Sequence, residues 1–237
     1  MTPPKWFVSL ICGSLLFEDF LQDFIPKLKG HLLGRLLHND FDGDETKFSD
    51  EERNTVRIIN NQFYSAKVLR VNYTTYDMRR DQDSMNPRTH CDVMVISPES
   101  EEGAHPFWYA RVLGVFHAKV LHTGHAAQNH SIQHIEFLWV RWFGVEPDYT
   151  SGSRVSRLPK IGFVPDTDEG AFGFLDPSLV LRGCQLIPAF AGGRTSNYLQ
   201  TSSLTAAHHP EETDDWANYY VIMYVSPLNS HHCLHVY

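Results

Sequence analysis

Residues 108–120 constrain the fold more than any other stretch of the chain. Their even positions, Trp108, Ala110, Val112, Gly114, Phe116, Ala118 and Val120, are all apolar or small, and Arg111, His117 and Lys119 stand among the odd ones. Period two is the repeat of a β-strand, whose successive side chains point to opposite faces. The segment predicts a long strand with one wet face. In residues 132–143, Ile135, Phe137 and Trp139 share one face while Leu138, Val140 and Trp142 share the other. A strand apolar on both faces sits centrally in a sheet or carries a bulge. The stretch 121–130 between the two predicts a hairpin loop.

Shorter apolar runs at 64–71, 93–96, 162–164, 171–175, 185–190 and 216–225 predict further strands, Pro188 limiting the fifth. Asp176-Pro177-Ser178 predicts a capped helical turn. Ahead of the strands, Phe17, Phe20, Leu21, Phe24 and Ile25, then Leu28, Leu32, Leu33, Leu36 and Leu37, recur at helical spacing. Pro26 is expected to break or kink that helix. Ser49-Asp50-Glu51-Glu52 has the form of a capping box, opening a short helix into Val56 and Ile58. Many short strands with loops of varied length point to an α+β, mainly β fold: a small curled antiparallel barrel preceded by a helical N-terminal segment. The expected divisions are a helical segment with an acidic connector over 1–60, a barrel-like domain over 61–190, a flexible loop over 191–214, and a final strand and tail over 215–237.

Charge narrows the function. With 28 Asp and Glu against 20 Lys and Arg, the net charge is −8, which opposes nucleic-acid binding by bulk charge and leaves only a local basic patch. Cys12, Cys91, Cys184 and Cys233 lie far apart without a C-x-x-C pair, which fits a reducing compartment. Secretion is not expected: one cation precedes the apolar run 6–17 and no A-x-A-like site follows it. No membrane partner is expected either.

The constellations that carry chemistry are incomplete. Asp40, Asp42, Asp44 and Glu51 have calcium-loop spacing, but Glu45 stands where the turn needs Gly, so a solvated connector is expected. His117, His122, His125, His130 and His134 match no closed zinc motif and are read as surface residues; His231, His232, Cys233 and His235 are read likewise. Cys91 follows His90, but adjacency does not make a dyad. No nucleophile elbow, Walker loop or H-E-x-x-H occurs. The chain is read as a non-enzyme with no catalytic residue, metal ligand or cofactor. Two groups remain for binding. Trp108, Tyr109, Trp139, Trp142 and Phe143 offer rings for a methylated ammonium, against core packing as the commoner use; Trp108 and Trp142 are assigned to the core and Tyr109 to the wetter face. Arg154, Arg157 and Lys160, with Arg79, Arg80 and Arg88, offer guanidinium forks to an acidic partner. The candidate binding residues are Tyr109, Trp139, Arg141, Arg154 and Arg157.

Several phrases add a resemblance. They are Asp23-Phe24-Ile25-Pro26-Lys27-Leu28, Val71-Asn72-Tyr73-Thr74-Thr75-Tyr76-Asp77, Phe137-Leu138-Trp139-Val140-Arg141-Trp142-Phe143-Gly144, and Arg182-Gly183-Cys184-Gln185-Leu186-Ile187-Pro188. Together they resemble the C-terminal region of Plavaka-type, CACTA-like transposon proteins of basidiomycete fungi, over about residues 22–225. The resemblance implies a nuclear setting and a catalytic core outside this chain, and it brings no catalytic motif to any position here. The strands around Tyr109-Ala110-Arg111-Val112 and Trp139-Val140-Arg141-Trp142-Phe143 also resemble a bromo-adjacent homology (BAH) chromatin module, which makes the expected barrel SH3-like or BAH-like. The leading expectation is a non-catalytic protein-interaction domain of transposon origin, with chromatin as a candidate partner. The alternatives are an accessory part of a transposase or nuclease, and a DNA-binding accessory domain.

Overall fold

The computed structural model describes residues 18–37, 47–74, 79–89, 91–99, 104–152, 155–198 and 214–222. The expectations for the run 6–17, Asp40, Asp42, Asp44, His90, Arg154 and the histidine tail lie outside these residues.

Two long strands organise the rest. β5 (Phe107–His122) and β6 (Gln133–Val145) pair as an antiparallel hairpin across the predicted loop. Each is longer than any one strand on its other edge, so each carries two strands there. β4 (Asp92–Ile96) pairs with the first part of β5, and β1 (Val56–Ala66) with the remainder. β8 (Phe172–Leu175) pairs with the middle of β6, and β7 (Lys160–Phe163) with its end. β9 (Val180–Gly183) extends the sheet beyond β4; β13 (Tyr219–Ile222) and then β10 (Gln185–Pro188) extend it beyond β7. β2 (Leu69–Thr74) and β3 (Arg80–Met85) form a separate hairpin, and β11 (Arg194–Thr195) pairs with β12 (Asp215–Trp216).

The α+β, mainly antiparallel character is as expected, but the small curled SH3-like or BAH-like barrel is not formed. The strand order β10-β13-β7-β6-β5-β4-β9 is an open path, and no ladder among the described residues joins its two ends. Closure needs every strand to pass its whole edge to the next with a consistent stagger. Here the edges of β5 and β6 are divided between partners, so added strands lengthen the sheet instead of closing it.

A bulge sets which residues meet. Val112 pairs with Val140 and Gly114 with Trp139, leaving Leu113 as an extra residue in β5. One extra residue exchanges the faces of everything beyond it. Ala110 and Val112 therefore pack with Val115, Leu138 and Val140 under the β2–β3 hairpin, whereas Phe116, Ala118 and Val120 join Phe137 and Trp139 on the other side. The even positions are apolar along the whole strand, but they serve two cores. Gly114 is needed at the crossover, because a Cβ there would lie 2.4 Å from the Phe116 ring.

α1 (Glu18–Leu36) covers the second of these faces. Phe24, Leu28, Leu32, Leu33 and Leu36 are buried against Phe63, Phe116, Phe137, Trp139 and Phe174. The helix continues through Pro26. Phe24 and Leu28 on either side are both buried, and about 1.5–3 kcal/mol for each such side chain offsets the lost hydrogen bond. α2 (Asp50–Asn54) has the predicted box: Glu52 N–H donates to Ser49 Oγ and Ser49 N–H to Glu52 Oε2. It stops at Thr55, and Val56 opens β1 instead of prolonging the helix. Ser49→Ala should lower stability by about 1 kcal/mol in urea unfolding. Asp176 caps the predicted turn, now a 3-10 turn over Pro177–Leu179.

Candidate functional site

Three of the candidate binding residues are used inside the fold. Arg141 is fully buried, and its Nη2 and Nη1 reach Asp215 Oδ2 and Oδ1 at 2.7 and 3.2 Å. Its guanidinium lies 3.7 Å from the centroid of the Phe163 ring. Arg111 stands opposite Arg141 in the β5–β6 ladder and holds buried Asp92 through Nε and Nη2 at 2.7 and 3.1 Å. Phe163 also lies under Arg111, at 5.1 Å. Two neighbouring cations are tolerated because each has its own bidentate carboxylate and both face one aromatic ring. Burial pulls the Arg111 guanidinium downward and Asp92 more than reverses it; for Arg141 burial prevails over Asp215 and the shift is downward. Both remain charged at neutral pH.

Trp139 packs edge-on to Phe24 under α1, with ring centroids 5.4 Å apart. Tyr109, expected on the wetter face, is fully buried and shares a 2.9 Å hydrogen bond with His105 Nε2. It precedes the bulge, where the odd positions of β5 face the core containing Phe143, Ile161 and Tyr219. Trp108 and Trp142 meet edge to face against the opposite core. The five aromatics are thus divided between two faces and form no common cage.

Arg157 alone of the candidates is on the surface among the described residues. It lies in the loop between β6 and β7, where Gly152 bridges to Arg157 and Ser156 takes φ 52°. Its guanidinium lies 5.9 Å from the Tyr149 ring, and Lys160 Nζ lies 5.8 Å from the same ring. Tyr149 meets Tyr220 at 6.2 Å. Tyr220 has Lys160 as its neighbour on β7 and Ile187 as its neighbour on β10, so the three project from one face. The β10–β13 ribbon continues into β11–β12 through Ala189 N–H to Asn218 O and Ala217 N–H to Gly193 O. Between these bonds a 3-10 turn over Phe190–Gly192 lifts Phe190 outward, and Gly193 at φ 68° returns the chain to the ladder. Phe190 is 68% exposed and meets Trp216 edge-on at 5.2 Å, while Arg194 lies 4.9 Å over the Trp216 ring. Of the acids near this surface, Glu146 accepts from Asn218 Nδ2 at 2.8 Å and lies 4.0 Å from Lys160, and Asp148, next to Tyr149 in the chain, is exposed.

Comparison with protein-family models, curated proteins and solved structures finds no match for this chain. The transposon and BAH-like resemblances gain no support from them.

The remaining constellations find ordinary places. His125, His130 and His134 are exposed, as expected of surface histidines, and His117 is half-buried. His122 departs from that expectation: it is 3% exposed, and burial lowers its pKa. Gly124 makes room for it, since a Cβ there would lie 2.8 Å from His122 Nε2. Among the described residues no group of three or more His, Cys, Asp or Glu is arranged to hold a metal ion. Cys91 is fully buried, and burial first, Asp92 second, push its thiol up to about 12, so it is a protonated thiol at neutral pH and a poor nucleophile. No helix among the described residues is long and apolar enough to cross a membrane.

Proposed function

We propose that this chain is a non-catalytic protein-interaction module that takes an acidic peptide segment on the outer face of β7, β13 and β10 and the loop before β7. The supporting observation is where exposed apolar surface gathers. Val155, Leu158, Ile187 and Phe190 are 42%, 44%, 41% and 68% exposed and belong to this loop and ribbon. Such surface adds nothing to the fold; covering it is worth roughly 25 cal/mol per Å². Tyr149, Tyr220 and Trp216 supply rigid rings beside it, and Arg157, Lys160 and Arg194 supply the charge. Aromatic residues and Arg dominate the energetics of protein interfaces. An acidic segment is repelled by a chain of net charge −8 except at such a basic face, which orients its approach.

The chromatin partner expected from the resemblance fares worse, because a lysine-rich histone tail would bring like charge to these cations. The test is fluorescence anisotropy of a labelled Asp/Glu-rich peptide containing one Leu and one Phe, titrated with the full chain. Phe190→Ser and Arg157→Glu should each weaken binding at least about 10-fold without altering the circular dichroism. Equal binding of a Lys-rich peptide, or affinity untouched by both substitutions, would overturn this reading.

A further inference from the structure

A groove with a volume of about 730 Å³ opens over the β1–β5–β6 part of the sheet, on the face opposite the core that α1 covers, with Arg35 near the end of α1 on its rim. Beyond Val115, the last β5 residue of that face in the β2–β3 core, His117 and His134 line the groove, and Tyr64 continues their row of rings on the same face beside it. Tyr64 and His117 are register neighbours on β1 and β5 and stack at 5.2 Å with 20° between planes. His117 meets His134 of β6 at 4.7 Å. The three rings form a ladder across three strands, and Tyr64 at its end is 50% exposed.

Charge surrounds this ladder unevenly. Arg57 and Lys119 share its face by register, being opposite Leu121 and His134, and Lys67 and Arg70 line the groove. All four are exposed, and none forms an ion pair among the described residues. The acids of the groove are Glu136 and Asp176, and Asp176 is already held by Arg35 at 2.7 Å. In a chain with excess negative charge, Lys67 and Arg70 line the groove beside Glu136, and Arg57 and Lys119 add positive charge on the same sheet face.

From this arrangement we propose that the groove binds a short single-stranded nucleic-acid segment, with bases stacking on the Tyr64–His117–His134 ladder and phosphates meeting Arg57, Lys67, Arg70 and Lys119. Exposed rings on a sheet face combined with a cationic border are what a single strand requires: every base has a π-face, and every linkage carries a charge. A peptide is the weaker fit. An acidic peptide uses the cations but leaves the ladder idle, and an apolar one leaves the cations without partners. The site is separate from the peptide-binding face, so the two readings stand or fall independently.

The probe is a fluorescein-labelled oligo(dT) of about 10 nucleotides, within the span that one sheet module covers. The full chain is titrated at low salt with anisotropy as readout. Saturable binding is expected. Tyr64→Ala and His117→Ala should each weaken it roughly 5- to 100-fold, the range for losing one stacking partner. Lys67→Gln with Arg70→Gln should lower the slope of affinity against salt. Phe190→Ser should leave oligonucleotide binding unchanged. The proposal is overturned if no saturable binding occurs up to about 100 µM chain at low salt, since even non-specific phosphate contact reaches about that affinity at physiological salt. It is also overturned if Tyr64→Ala binds as tightly as wild type, or if an acidic peptide of equal charge displaces the oligonucleotide equally well.

Discussion

Arg141→Met should destabilise the protein by about 3–5 kcal/mol, seen as a fall in the urea midpoint with an unchanged slope. The substitution leaves Asp215, itself 4% exposed, as a buried carboxylate without its bidentate partner, and removes the cation over Phe163. Arg111 lies close enough to feel Asp215, which limits the loss to the lower part of that range. The companion variant makes the result interpretable. Arg141→Met with Asp215→Leu removes both charges and should recover most of the stability, because the pair's mutual attraction only roughly repays its desolvation. Among the described residues Arg141 Nε finds no hydrogen-bond partner, so the native pair is imperfectly satisfied even when intact. A single variant costing under about 1 kcal/mol would place this pair in water instead of the core.

Phe24→Ala should cost a similar amount, about 3–5 kcal/mol for a buried ring lost from a core. Phe24 touches Phe63 of β1, Trp139 of β6 and Phe174 of β8, so it fastens α1 to three strands at once. Helix and sheet should therefore unfold together. Far-UV circular dichroism, which follows the helix, and tryptophan fluorescence, which follows Trp139 among others, should show one shared midpoint in both wild type and variant. If α1 were a separate unit, as the expected division at residue 60 implies, its signal would shift while the fluorescence midpoint stayed in place.

The two predictions concern contacts that differ in how readable they were. The alternation at 108–120, the hairpin loop after it, the box at Ser49 and the cap at Asp176 are local patterns, and the structure contains all four. The bulge at Leu113 is also local, but its consequence is not. It reverses the faces of the strand, so Tyr109 is buried on the side that parity assigned to water. Gly114 inside a strand pattern was the available sign of it. The Arg141–Asp215 pair joins residues 74 positions apart and leaves no local trace. Arg157 was reachable because a loop arginine between strands is exposed whatever the topology. Phe190 was not, because it reads as the end of an extended run. Its outward position depends on the 3-10 turn and on Gly193, and the Gly192-Gly193 pair was the only local hint. Strand number alone does not decide closure of the sheet, because strand length decides how many partners an edge can hold.

Asn60 and Asn61 carry a consequence for the molecule's behaviour in a crowd. Both take left-handed backbone angles, φ 57° and 50°, in the middle of β1, whose second edge has no ladder among the described residues. Ile58 pairs with Val120 and Phe63 with Ala118, so four residues of β1 bulge against one of β5. An unbroken rim of that length would be a template on which other chains could polymerise. With the interruption, the donors and acceptors on either side of it fall out of step, and an intruding strand that matches one half misses the other. The two asparagines, in a conformation this residue tolerates better than most, interrupt a long border that the sheet leaves unpaired among the described residues.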